Sequence, residues 1–266
     1  MKAKNGKYDG RMANLELLRI TAMLLVVVLH FLGKGGWLTS LKEPVITLRG
    51  YLAWGIEALA IVAVNVYMLL SGYFLVESPF RVKRLLRLLL QIWFYAIGIG
   101  IVATALGYVH SEGSFSYWLA LLCFPVSVRH YWFMSAYVFM YLFIPVMSQG
   151  IKKLTKKQLQ AVIFLQIFMF SVIKSVMPGG LSTDGRGYDL LWYLRVFMIA
   201  AYIRLYGLPF FKSARRSLFV YLISGAGIFG FTFLFRMLYF KTGKWEHVQG
   251  ICYDYNHILV LAASSV

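Results

Sequence analysis

The chain has 266 residues, of which 60% are hydrophobic, 17% aromatic and 14% charged, and its mean hydropathy is +0.70. Soluble domains average about 45–50% apolar and about 25% charged residues, so this chain has too little polar surface for a water-soluble fold. The formal net charge is +17, from 27 basic and 10 acidic residues. The cations lie in short gaps between apolar runs, which indicates orientation in a lipid bilayer and no nucleic acid partner.

Apolar runs long enough to cross a bilayer recur along the whole chain. A span needs about 20 mostly apolar residues. Such runs lie at 15–33, 51–75, 88–109, 131–149, 159–177, 189–208 and 217–240, and a further one begins near 257. A shorter run at 117–126, broken by Pro125, is interpreted as a re-entrant or interfacial piece. The sequence therefore predicts an all-α, polytopic transmembrane bundle of about eight spans.

The last predicted span is incomplete. From His257 to Val266 there are ten residues, about 15 Å of helix against a hydrocarbon core of about 30 Å. We therefore expect one integral-membrane domain at 1–266 from which the C-terminal spans are missing. No internal repeat or long linker divides it.

The basic residues between the spans predict the orientation. If the amino terminus is inside, sixteen Lys and Arg residues fall in cytosolic segments and eight in outer segments. This excess predicts a multi-pass membrane protein with a cytosolic amino terminus. We expect the membrane to be the plasma membrane. Cys123 and Cys252 stand far apart, without the spacing of a metal site or a disulfide framework, although one long-range bridge stays possible. No metal and no bound cofactor are expected.

Arg19 and His30 are the most informative residues of the first span. They lie eleven positions apart, which places both side chains on one helical stripe, about 20° and about 16 Å apart. We expect this stripe to face the bundle interior, because ionisable groups within spans avoid lipid. One interpretation is that Arg19 snorkels to the headgroups and His30 caps the span. The other is that Arg19 holds an anion and His30 transfers a proton.

Two further polar groups lie in the second predicted span. Glu57 needs a partner within the bilayer, which we expect to be Arg49, a histidine or a polar ligand. Ser71 precedes Gly72, and such a small pair permits close helix packing while leaving a hydroxyl for a neighbour. Packing alone is a sufficient explanation for Ser71.

The third span is preceded by a basic cluster. Arg84 and Arg87 lie three positions apart, on one face at the predicted helix start. Positive-inside anchoring explains them in a generic membrane protein. The same arrangement also suits phosphate binding, by guanidinium groups and unpaired backbone N–H groups together. Trp132, at the start of the fourth span, fits an interfacial aromatic belt or stacking on a sugar ring.

Together these motifs resemble the acyltransferase-3 family, integral-membrane bacterial enzymes that O-acylate surface carbohydrates. The resemblance covers essentially the whole chain. It rests on Arg19 and His30 with ten residues between them, on the 68–74 sequence MLLSGYF, and on Arg84 and Arg87. The aromatic run at 131–133, followed by Tyr137 and Pro145, and the 201–204 sequence AYIR fit as well.

The resemblance implies a bundle of about ten spans, a cytosolic acyl-coenzyme A donor and an acceptor hydroxyl on the far side. His30 matches the family's essential histidine and Arg19 its partner. Arg84 and Arg87 match the positions thought to serve the donor. On this hypothesis His30 acts as general base or carries the acyl group transiently, and Ser71, Glu57 and Trp132 contribute to substrate binding. Acetyl-coenzyme A is then a co-substrate, and the partners are the bilayer and a carbohydrate such as an exopolysaccharide or cell-wall glycan.

Two other functions are compatible with charged groups inside spans. One is a transporter or flippase of a polar lipid-linked sugar, although no inverted repeat is visible. The other is the membrane-sensor domain of a larger protein. The sequence does not define the oligomeric state.

Overall fold

The structure, a computed structural model, describes residues 12–108, 115, 118–119, 132–176, 185–209, 213–244 and 246–266. Within these ranges every regular element is a helix and no strand occurs. The predicted all-α fold is therefore confirmed. Most of the predicted segment 117–126 lies outside the described residues, as does Cys123.

The long helices follow the apolar runs. In chain order they are α1 (Ala13–Lys34), α2 (Leu48–Ala60), α3 (Ala63–Leu75), α4 (Val82–Ala105), α5 (Trp132–Lys153) and α6 (Lys156–Ile167). A π-helical turn, Phe168–Val172, leads from α6 into α7 (Ile173–Val176). Then come α8 (Leu190–Tyr206), α9 (Ala214–Thr242) and α10 (Ile258–Ser264), with 3₁₀ turns at Glu246–Val248 and Ile251–Tyr253 between the last two.

Several helix ends are set by local side-chain chemistry. The Thr155 side chain and Gln158 form a reciprocal capping box at the start of α6. Asp189 caps α8 by accepting a hydrogen bond of 2.7 Å from the backbone N–H of Trp192. Each cap satisfies a backbone N–H that a helix start otherwise leaves without a partner. At the other end of α9, Gly243 adopts the left-handed conformation (φ 68°) that glycine reaches at low cost.

Six helical segments are long and apolar enough to cross a membrane, judged by length and composition. They are Ala13–Lys34, Leu48–Leu75, Val82–Ala105, Trp132–Lys153, Lys156–Val176 and Ala214–Thr242. Each coincides with a predicted span within a few residues. The second consists of two helices, because a short turn at 61–62 separates α2 from α3.

The other two predicted spans are present as shorter helices. Helix α8 covers most of the run predicted at 189–208 with 17 residues, about 26 Å of helix. The run that begins near 257 forms α10, which has seven residues. Their assignment as membrane spans stays a prediction, and so does the single-domain organisation.

The described chain forms two compact units, whose boundary falls inside α3. The first is built from the described parts of Met1–Leu70 and Phe210–Val266. In it, α9 packs against α2 and α10, and α1 packs against α2. Hydrogen bonds tie these elements together: the Tyr221 hydroxyl donates to the Leu59 carbonyl (2.7 Å), and the Asn65 amide donates to the Tyr255 carbonyl (2.7 Å).

The second unit is built from the described parts of Ser71–Pro209. In it, α8 packs against α5 and α6, and α4 packs against α5. Its core contains large side chains that are almost fully buried, namely Trp192, Tyr193, Phe197, Met140 and Tyr141. This core holds α5 and α8 together beside the basic start of α4.

The outer surfaces of the long helices are apolar. Helix α4 buries only Ile92 and Ala96, whereas Leu86, Leu90 and Phe94 are more than half exposed. A soluble protein rarely exposes such a continuous apolar surface. The exposed apolar faces and the helix lengths are those of a protein whose solvent is the lipid bilayer.

Candidate active site

Arg19 and His30 lie on one uninterrupted helix. Helix α1 runs from Ala13 to Lys34 without a break, so the two side chains keep the separation of about 20° and about 16 Å that the sequence predicts. The continuous helix is the first requirement of the predicted stripe, and it is met.

A hydrogen bond defines the proton position on His30. The Nδ1 atom lies 2.8 Å from the carbonyl oxygen of Val26, one turn earlier on α1. A carbonyl oxygen can only accept, so Nδ1 must donate, and the neutral imidazole then carries its proton on Nδ1. The other ring nitrogen, Nε2, is therefore the basic one.

Arg19 is paired on its own helix. Its Nη1 atom lies 3.2 Å from Oε1 of Glu16, one turn earlier. The side chains of Arg19 and Glu16 are 39% and 45% exposed, and an ion pair this open contributes at most about 1 kcal/mol to stability. The pair orients the guanidinium but contributes little to the stability of the fold.

The expected burial of this stripe is not observed. His30 is exposed and Arg19 half-buried, while the buried residues of α1 are Ala22 and Leu32. Ala22 is three positions after Arg19, about 60° around the helix. Ala22 and Leu32 mark the covered face, whose centre is therefore roughly 100° around the helix from the stripe, so Arg19 and His30 lie at its edge.

Within the described residues, one buried oxygen of Glu57 has no hydrogen-bond partner. Its Oε2 atom is inaccessible to solvent and accepts no hydrogen bond within the described part of the chain. Arg49, one of the three expected partners, is engaged elsewhere, because its guanidinium lies 3.8 Å from the centre of the Trp37 ring. The prediction of an Arg49 partner is therefore wrong, since cation–π stacking holds that side chain over Trp37.

Ser71 and Gly72 lie in α3 where it meets α8. A Cβ atom at Gly72 would stand 2.7 Å from Cβ of Ala200 and 3.3 Å from the Phe197 ring. This contact is shorter than carbon atoms tolerate, so only glycine fits. The predicted close helix approach is confirmed, and Ser71 is half-buried beside it.

Arg84 and Arg87 lie in the first two turns of α4. Both are exposed, and neither forms an ion pair with a carboxylate in the described ranges. A cavity of about 140 Å³ lies beside them, lined by Arg84, Leu85, Arg87, Leu88, Gln91, Tyr137 and Tyr141. Arg87 also lines a shallow groove of about 450 Å³ along α4, together with Lys83, Leu86, Leu90, Gln91, Phe94 and Tyr95. Two cations are thus available to an anion, next to apolar and hydroxyl groups.

Gln91 and Tyr141 line this cavity but are not among the site residues predicted from the sequence. Gln91 lies one turn beyond Arg87 on the same face of α4, so its helical spacing is a signal that could have found it. Tyr141 is one aromatic residue among many in an apolar run. Its position in the cavity comes from the packing of α4 against α5, which no local pattern predicts.

Trp132 begins α5 and belongs to an aromatic cluster. Its ring centre is 4.5 Å from that of Tyr188 and 6.5 Å from that of Tyr193. Trp132 is half-buried, and Tyr193 is fully buried. One part of the indole is therefore covered by other aromatic rings, and the rest is accessible.

Arg195 and Arg236, two further cations inside predicted spans, have partners within their own units. The Arg195 guanidinium lies 3.5 Å from the centre of the Phe170 ring. Arg236 donates through Nη2 to the carbonyl oxygens of Glu43 (2.8 Å) and Pro44 (3.1 Å), in the loop before α2. Both contacts compensate for removing a guanidinium from water.

Residues 12–265 match a protein-family profile, acyltransferase-3, described as an acyltransferase domain. Comparisons with curated proteins and with solved structures each gave no match. The match covers nearly the whole chain and includes every helix described above. The chain therefore belongs to the acyltransferase-3 family and is a membrane acyltransferase.

Proposed function

We propose that this protein transfers an acyl group, acetyl in the first instance, from cytosolic acyl-coenzyme A to a hydroxyl group of an extracytoplasmic carbohydrate. The observation that carries the proposal is the hydrogen bond from His30 to the Val26 carbonyl, which leaves Nε2 as a base. Family membership favours this function over a lipid-linked sugar transporter or a sensor domain.

In the proposed reaction His30 acts as the general base. Its Nε2 atom accepts the proton of the acceptor hydroxyl while the hydroxyl oxygen attacks the thioester carbonyl carbon. The bond from that carbon to sulfur breaks, and the proton passes from Nε2 to the coenzyme A thiolate. A base of this kind contributes roughly 10²- to 10⁴-fold to a rate. Arg19 supplies positive charge on the same helix, and its proposed role is to hold an anionic part of the donor.

Arg84 and Arg87 are proposed to bind the donor's phosphate groups. Both lack a carboxylate partner within the described ranges, and both line the cavity beside α4. Guanidinium groups bind phosphate through paired hydrogen bonds, and the start of a helix adds unpaired backbone N–H groups. The donor is a co-substrate that leaves as free coenzyme A.

Glu57, Ser71 and Trp132 are proposed to serve the substrates. The buried Oε2 of Glu57 has no protein hydrogen bond among the described residues. Because that atom is closed to solvent, its proposed contact with a sugar hydroxyl requires the helices around it to move apart. Trp132 keeps part of its ring accessible, and an indole face stacks on the C–H groups of a sugar. Ser71 offers a hydroxyl at the point where α3 meets α8.

The proposed location is the plasma membrane, with the amino terminus in the cytosol. This orientation places Arg84 and Arg87 on the cytosolic side, where acyl-coenzyme A is available. It follows from the distribution of Lys and Arg between the spans.

The test measures two quantities on the full-length protein: binding of radiolabelled acetyl-coenzyme A, and O-acetylation of surface carbohydrate in cells. We expect wild type to do both, and His30→Ala to bind the donor but to lose O-acetylation. Lys34→Ala is the matched control, because Lys34 is exposed one turn further along α1. Wild-type O-acetylation by His30→Ala at normal expression would contradict the proposal, and so would failure of the wild-type protein to bind acetyl-coenzyme A.

A further inference from the structure

The helix that carries Arg84 and Arg87 begins without a side-chain cap. Its N-cap residue is Arg81, which has an extended backbone (φ −133°, ψ 112°) and whose side chain makes no capping hydrogen bond. Elsewhere in the same unit Thr155 and Asp189 cap their helices in the usual way. The start of α4 therefore depends on another group for its position.

That group is the hydroxyl of Tyr141, on the neighbouring helix α5. It accepts a hydrogen bond from the Arg81 N–H (3.2 Å) and donates one to the Arg81 carbonyl oxygen (3.3 Å). A tyrosine hydroxyl can do both at once. The side chain is 2% exposed, and its ring packs against that of Phe80 with centres 5.1 Å apart. The Tyr141 hydroxyl thus forms hydrogen bonds with both the backbone N–H and the backbone carbonyl of Arg81.

The same backbone residue connects Tyr141 to the arginine pair. The Arg81 carbonyl accepts the Tyr141 hydroxyl and also the backbone N–H of Arg84 (2.9 Å). Beyond this point the Tyr141 ring lines the cavity that Arg84 and Arg87 line. The position of the two guanidinium groups at the cavity therefore depends on where the first turn of α4 is held.

We propose that Tyr141 is a positioning residue for donor binding. It acts through Arg81 on Arg84 and Arg87 and makes no proton transfer of its own. This inference rests on the proposed function, because it concerns the same donor site. It predicts a specific effect of the hydroxyl on the affinity for acyl-coenzyme A, beyond the general stability that any buried hydrogen bond provides.

The chain offers a matched control in Tyr221. Its hydroxyl also donates to a backbone carbonyl, that of Leu59 (2.7 Å), but it belongs to the other unit and does not line the proposed donor cavity. Tyr141→Phe and Tyr221→Phe each remove one hydroxyl and leave the ring. Both are therefore expected to lower the melting temperature, Tyr141→Phe the more because its hydroxyl makes two hydrogen bonds, and only Tyr141→Phe is expected to affect donor binding.

The experiment measures KM for acetyl-coenzyme A and kcat with the full-length protein in lipid vesicles. We expect Tyr141→Phe to raise KM about three- to tenfold, the range that corresponds to one hydrogen bond, with kcat within twofold of wild type. Tyr221→Phe is expected to leave both unchanged. In an Arg84→Gln/Arg87→Gln background, Tyr141→Phe is expected to raise KM no further, because residues that act in one chain of contacts are not additive.

An unchanged KM in Tyr141→Phe would overturn the inference while leaving the donor proposal intact, if Arg84→Gln/Arg87→Gln still raises KM. An equal rise in KM in both backgrounds would overturn it as well, because Tyr141 would then act independently of the arginines. A wild-type KM in the double arginine variant would instead contradict the proposed donor site, and the inference would fail with it.

Discussion

The protonated nitrogen of His30 is set by a single contact on its own helix. Nδ1 donates to Val26, one turn back, so the contact does not require a residue of another helix. Such a contact fixes the tautomer of a catalytic histidine in the way that a carboxylate or carbonyl partner commonly does. Sequence spacing predicts that His30 and Arg19 share a stripe, but it does not predict the tautomer, because many residues of a helix could accept that hydrogen bond.

The tautomer is directly measurable. In protein labelled with ¹⁵N-histidine, we expect neutral His30 to show a protonated Nδ1 and an unprotonated Nε2, because the Val26 carbonyl can only accept. Nitrogen-15 chemical shifts report this, and His30→Gln identifies the signal. A neutral imidazole with its proton on Nε2 would show that the hydrogen bond to Val26 is absent.

Arg19 and Glu16 form an open ion pair, and its two members should differ in importance. We expect Glu16→Gln to change the free energy of unfolding by less than about 1 kcal/mol and to leave acyl transfer within twofold of wild type. Arg19→Gln removes the cation itself, so we expect a loss of activity of at least tenfold. Transfer assays on both variants at matched expression check this, and equal losses would mean that the ion pair, not the cation, matters.

The residues whose positions the sequence predicts least well are those that face a partner across space. Glu57 is predicted to need a partner, and its buried oxygen has none in the described protein. Arg49 is one of the three partners that the sequence allows, and it stacks on Trp37 instead. The sequence shows that a carboxylate lies in an apolar segment, but its partner depends on how the helices pack.

In the second unit, α3 and α8 pack closely because Gly72 of α3 has no side chain. At Gly72 the backbone of α3 approaches Ala200 of α8 closely enough to exclude a Cβ atom. The Ser-Gly sequence predicts close approach, because small residues favour it in membrane proteins. The partner helix is not predictable in this way, since every span of the chain is apolar.

Gly72→Ala should therefore destabilise the second unit. We expect a loss of about 1–3 kcal/mol in the free energy of unfolding, the usual cost of overpacking a close contact. Gly98 is the matched control: it lies within α4, and a Cβ there meets no atom within 4 Å. Gly98→Ala should be neutral or stabilising by up to about 1 kcal/mol. Thermal unfolding in detergent compares the two, and equal stability of both variants would contradict the close α3–α8 contact.

Elements differ in how far local sequence determines them. The capping box at Thr155 and Gln158 follows a short sequence pattern. The turn at 61–62 and the π-helical turn Phe168–Val172 have no such signal, because apolar residues of similar propensity surround both. There the backbone geometry follows from packing and is not predictable from periodicity.

At the scale of the whole molecule, composition alone predicts the class of fold. Six helices are long and apolar enough to span a bilayer, and each coincides with a predicted run. The remaining two runs form the shorter helices α8 and α10, of 17 and seven residues, and their use as spans stays a prediction. The composition predicts apolar segments, but not which of them span the membrane.

Orientation is the property of the whole molecule that is most readily tested. In a background without native cysteines, we expect Lys34→Cys to react with a membrane-impermeant maleimide in intact cells and Lys152→Cys to react only after lysis. Lys34 ends α1 on the proposed outer side, and Lys152 lies in the last turn of α5 on the proposed cytosolic side. Cys252 is buried and free, so its replacement removes a thiol without breaking a disulfide. Labelling in the reverse pattern would place the amino terminus outside.

The most direct test of the account is a single-turnover measurement of acetyl transfer. Inverted vesicles containing the full-length protein receive labelled acetyl-coenzyme A on the exposed cytosolic face and enclose the carbohydrate acceptor. We predict that His30→Gln binds the donor with wild-type affinity but transfers the label roughly 10²- to 10⁴-fold more slowly, as loss of a general base requires. Transfer by His30→Gln at the wild-type rate would contradict the central claim that the imidazole of His30 moves the proton.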